Sequence, residues 1–147
     1  MQFFIADGLA PFFAGWKTPG KINWSKIPFQ NLEREGVFDQ AKADAALDRF
    51  ERFAARAAET GFNAISLDDA AHLTDFDFYP EALSEKISRF QIFFDLIFRA
   101  ARRQGLAVFL TTDVMFFNAH IEKAAGPGCG GALRLLRQSV QKIFERF

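Results

Sequence analysis

The sequence predicts an α/β chain made of about three βα units with parallel strands, a partial (β/α)8 barrel. Three observations predict it. Long amphipathic stretches alternate with short apolar runs. Two of those stretches end on a glycine just before an apolar run. An aspartate follows each run.

A first strand is expected at residues 3–6, where Phe3, Phe4, Ile5 and Ala6 form an apolar run ahead of Asp7. A first helix is expected over residues 39–60, with Leu47, Phe50, Ala54 and Ala57 at helical spacing and Asp39 as N-cap. A second strand follows at 62–67. A second helix is expected over 80–104, where Leu83, Ile87, Phe90, Phe94, Ile97 and Ala101 make one apolar stripe. Pro80 suits its first turn, where a missing N–H costs nothing. A third strand is expected at 106–111. The last helix is expected from Gly131 onward, with Leu133, Leu136, Val140, Ile143 or Phe144, and Phe147 as its buried stripe.

Gly61 and Gly105 fit the left-handed position that ends a helix. They also mark a repeat. Gly61 matches Gly105, Ile65 matches Phe109 and Asp69 matches Asp113, all 44 positions apart. The helix-to-strand connections are short. The strand-to-helix connections, at about 7–38, 68–79 and 112–130, are long, and all leave the C-terminal ends of strands, where α/β proteins build their sites. The 147 residues fall short of the roughly 250 of a complete barrel. The repeat would start a fourth strand near the last residue, so the expectation is one partial domain truncated before that strand.

Lys plus Arg and Asp plus Glu are 18 each, interspersed along the chain. That balance argues against a nucleic-acid partner, because neutralising phosphates requires a basic surplus. The single cysteine, Cys129, excludes an internal disulfide and a cysteine-built zinc site. The N-terminus lacks the basic and long apolar regions of a signal peptide, and no apolar run is long enough to span a bilayer. A cytoplasmic protein without a membrane partner is the expectation. Most of the 20 phenylalanines are expected in the core, Phe90, Phe93, Phe94 and Phe98 among them.

Asp7, Asp68, Asp69 and Asp113 fall at or just after strand ends. Carboxylates converging on one mouth bind sugar hydroxyls, hold a metal, or act as acid and base. Each taken singly is equally explained as a turn cap. His72 suits hydrogen bonding to a substrate, and its spacing from the carboxylates matches no metal signature. His120 is read as structural. Trp16 and Lys17, with Asn23, Trp24 and Lys26, place aromatic and polar groups in the first long segment, suited to stacking on a sugar or to pinning the loop. The run from Gly126 to Gly131 lacks a Walker lysine and reads as turn material. Cys129 has no evident base partner.

The segment Gly61-Phe-Asn-Ala-Ile-Ser-Leu-Asp-Asp-Ala-Ala-His-Leu resembles the second strand and loop of (β/α)8 glycoside hydrolases of the α-glucuronidase-like or hexosaminidase-like type. Gly105-Leu-Ala-Val-Phe-Leu-Thr-Thr-Asp resembles the third. The resemblance covers most of the chain from Asp39 onward and, more weakly, Phe3 to Gly15. It implies the N-terminal part of an enzyme that hydrolyses glycosidic bonds. In such families the catalytic carboxylates come from strand four or later. It therefore implies that Asp68, Asp69, His72 and Asp113 bind substrate and that the catalytic residues lie elsewhere. The residue reading adds Asp7, Trp16 and Lys17 to the expected substrate-binding set, with no metal or other cofactor expected. A partner would supply the missing barrel half, or the chain would form a homo-oligomer. Two rivals remain open. One is a metal-dependent barrel hydrolase or lyase using Asp68, His72 and Asp113. The other is a non-enzymatic binding or assembly module that uses an open sheet edge.

Overall fold

The computed structural model describes residues 32–67, 73–110 and 118–147, together with the backbone of the pair 4–5. Strand β1 (Phe4–Ile5) comes first. Strands β2 (Glu33–Arg34) and β3 (Val37–Phe38) then form an antiparallel hairpin. Its two turn residues, Glu35 and Gly36, both take positive φ, as a tight two-residue hairpin requires.

Helix α1 (Gln40–Glu59) starts where the Asp39 carboxylate accepts the Lys42 N–H. It ends at Gly61 in the left-handed region, where the Phe62 N–H bonds the Ala57 carbonyl and the Gly61 N–H bonds Ala58. Strand β4 (Ala64–Leu67) follows, then α2 (Glu81–Arg103) with Pro80 at its N-cap. Helix α2 ends the same way. Gly105 has positive φ, and Leu106 and Gly105 bond the Ala101 and Arg102 carbonyls. Strand β5 (Ala107–Leu110), α3 (Ala119–Ala125) and α4 (Cys129–Arg146) complete the described chain.

The larger sheet has the order β1-β4-β5, with both pairings parallel. Its register departs from the sequence repeat by one residue. Ile65 pairs with Val108, and Ser66 with Phe109. Side chains alternate across a strand, so one residue of shift exchanges faces. Ile65, Leu67, Val108 and Leu110 pack with the helices, while Phe109 turns to the opposite face and remains 43% exposed.

The expectation of a partial (β/α)8 barrel of three βα units is not met. The chain is a small helix-rich α/β domain, with four helices and two small sheets among the described residues. The physical reason is where the apolar mass sits. A barrel wall buries both faces of every strand, one under helices and one in the packed interior. β4 is buried throughout, but β5 alternates between exposed and half-buried. The main core is instead largely helical. Ala43, Ala46, Phe50, Ala54 and Ala57 of α1 meet Phe90, Phe93, Phe94, Ile97, Phe98 and Ala101 of α2, and Ile65 and Leu67 are its buried strand members. The small alanine face of α1 lets the phenylalanines of α2 approach closely. The antiparallel hairpin, and the pair of helices after β5, also break the simple alternation.

The last helix starts two residues earlier than expected, and its stripe is rotated. Leu135, Ser139 and Ile143 are buried, while Leu133, Val140 and Phe144 are exposed. The buried face carries a hydroxyl pair: Thr74 Oγ1 and Ser139 Oγ lie 2.5 Å apart.

Candidate functional site

Asp7, Trp16, Lys17, Asp68, Asp69, His72 and Asp113 all lie outside the described residues, as do Asn23, Trp24 and Lys26. Ile5 is level with Ser66, and Leu67 with Leu110, so the three parallel strands end at one edge of the sheet.

Residues 73–80 lead into α2. Leu73, Phe76 and Tyr79 are buried and anchor the segment. Gln91 Nε2 donates to the Leu73 carbonyl at 2.8 Å, and Ser84 Oγ donates to Asp75 Oδ1 at 2.8 Å. The segment packs on α3 and α4 through a second apolar cluster of Phe76, Tyr79, Ile87, Ile121 and Leu135.

Asn118 links the start of α3 to the same segment. Its Oδ1 caps α3 by accepting the His120 and Ile121 N–H groups, and its Nδ2 donates to the Tyr79 hydroxyl at 3.3 Å. Burial pushes the Tyr79 phenol up in pKa. The Asn118 bond opposes this, and the Asp75 charge adds to it. His120 lies edge-on to Tyr79, with ring centroids 6.0 Å apart.

A cleft of about 440 Å³ opens between residues 76–78 and α4. Its apolar wall is an aromatic pair. Phe76 and Phe78 stack with centroids 5.0 Å apart and planes 15° from parallel, and Phe78 is 40% exposed. Its polar wall is one face of α4, where Arg134, Gln138, Gln141, Lys142 and Glu145 recur at helical spacing. Lys142 Nζ donates to Asp77 Oδ1 at 2.9 Å, and this bond and charge hold the Asp77 carboxyl below its usual pKa. Gln141 Nε2 donates to Glu145 Oε1 at 2.8 Å. Among the described residues Arg134 has no ion-pair partner. The cleft thus combines an aromatic ring with carboxylates, amides and a guanidinium.

Sequence reasoning missed this cleft and the helix α3. A signal for α3 was present: Asn118 precedes a run of helix formers that stops at Gly126. Nothing in the sequence marks Phe78 and Gln138 as neighbours. Among the described residues, no group of His, Cys, Asp and Glu is arranged to hold a metal ion. No described helix is long and apolar enough to cross a membrane. No family model, curated protein or solved structure matches the chain.

Proposed function

We propose that the chain binds a carbohydrate in the cleft between Phe78 and α4, as a cytoplasmic component of glycan metabolism. The observation that carries this is the stacked Phe76–Phe78 pair facing a row of amide, guanidinium and carboxylate groups on α4. A sugar ring has apolar C–H faces and a rim of hydroxyls. An aromatic wall takes the face, and paired donors and acceptors take the rim. Gln138 and Gln141 each offer both a donor and an acceptor, while Asp77 and Glu145 accept only. The glycoside-hydrolase resemblance implies the same ligand class, but the barrel it implied is not formed, so the proposal for this cleft is binding and not cleavage.

Calorimetric titration with neutral oligosaccharides of differing linkage tests the reading. Saturable binding is expected, lost in Phe78→Ala and in Gln138→Ala while the circular dichroism spectrum is unchanged. No binding across the panel, or binding that both variants leave intact, overturns it. Incubation with nitrophenyl glycosides separates binding from hydrolysis.

A further inference from the structure

An apolar groove of about 530 Å³ lies away from the cleft, between β5 and α4. Phe98 and Arg102 of α2 contribute to it, as do Val108 and Leu110 of β5 and Ile143 and Phe144 of α4. β5 ends the β1-β4-β5 order among the described residues. The Ala107 N–H bonds the Asn63 carbonyl, so this residue's amide points toward the β4 side. Peptide groups alternate in direction along a strand, so those of Val108 and Leu110 point to the outer edge. The groove therefore sits beside backbone donors and acceptors positioned to pair with another strand.

We propose that this edge takes an extended, acidic and apolar segment of a partner protein, which adds to the sheet beside β5. Charge selects that occupant. Arg102 lines the groove, and Arg137 shares the exposed face of α4 with Leu133, Val140 and Phe144. Neighbouring cations are already engaged: Arg99 pairs with Asp95, and Arg103 with Glu51. Arg102 and Arg137 have no ion-pair partner among the described residues. A second copy would bring the same cations and be repelled. The chain's own residues 6–31 hold Lys17, Lys21 and Lys26 against Asp7, a mismatched charge. A strand with apolar side chains toward the groove and carboxylates toward Arg102 and Arg137 satisfies backbone, apolar and charge requirements together.

The probe is a blocked peptide of alternating valine and glutamate, with a valine–lysine peptide as control. Amide hydrogen exchange of the whole chain is followed at Val108 and Leu110. The acidic peptide should slow exchange at both by about tenfold or more when bound. Arg102→Glu should weaken its binding about fivefold or more, and Phe144→Asp should do likewise. Both side chains are exposed, so neither variant threatens the fold. Equal binding of the lysine peptide, or no added protection, overturns the proposal. So does slow exchange at both amides before any peptide is added, which would mean the chain covers its own edge. Self-association that Phe144→Asp abolishes would assign the groove to a second copy instead.

Discussion

Thr74 and Ser139, 65 positions apart in sequence, share a hydroxyl–hydroxyl hydrogen bond in a buried setting. Each is 3% exposed. The bond lies on the inward face of α4, which Ser139 shares with Leu135 and Ile143, while Leu133, Val140 and Phe144 face outward. Thr74→Val keeps the shape but strands the Ser139 hydroxyl, at a cost of about 1–3 kcal/mol. Adding Ser139→Ala should recover part of that loss. Urea unfolding of the two single variants and the double checks it; strictly additive losses would count against the bond.

Gly130 and Gly131 are adjacent in α4 but should respond with opposite signs. Alanine normally stabilises a helix over glycine by about 1 kcal/mol. A Cβ on Gly130 meets open space, so Gly130→Ala should raise the melting temperature. A Cβ on Gly131 would fall well inside contact distance of the Ala125 carbonyl, where the end of α3 presses on α4. Gly131→Ala should lower it. Two thermal melts decide the matter.

Phe94 is fully buried among Phe90, Phe93 and Phe98, with ring centroids 5.8 to 6.2 Å away. Phe94→Ala should cost about 3–5 kcal/mol through lost burial and a residual cavity. Phe144 is 83% exposed, and Phe144→Ser should change stability by no more than about 0.5 kcal/mol. Denaturant midpoints of the two variants give the comparison.

Asp39 couples helix α1 to pH. Burial alone would raise its pKa, but the Lys42 backbone N–H and the Arg34 guanidinium, 2.8 Å away, more than offset this and lower it below 3.8. The folded state therefore favours the carboxylate. Its stabilisation is present above the unfolded value and is lost as pH falls through the lower folded value. Wild type should lose more stability than Asp39→Asn on acidification below pH 3.8. Parallel loss in the two proteins would show that Asp39 does not contribute to the acid limb.

Local physics made much of the fold legible. Asp39, Gly61 and Gly105 announce helix ends because capping is a matter of a few adjacent residues. The α2 stripe announces its buried face because helical spacing alone aligns Ile87, Phe90, Phe94, Ile97 and Ala101. The three strands of the parallel sheet were readable as short apolar runs between these signals, and their parallel order followed from the alternation, while the β2–β3 hairpin fell in a stretch expected as a loop.

Only the tertiary structure decided the rest. It set a β4–β5 register one residue off the repeat, since hydrogen-bond pairing rather than sequence similarity chooses which face Phe109 takes. It put the core largely between α1 and α2, where alanine and phenylalanine surfaces fit, leaving β5 half-covered instead of walled into a barrel. It turned Leu135, Ser139 and Ile143 of α4 inward and placed Phe78 and Gln138 on the walls of one cleft. A candidate site made of residues some 60 positions apart has no local signal, because its geometry exists only once distant surfaces have packed.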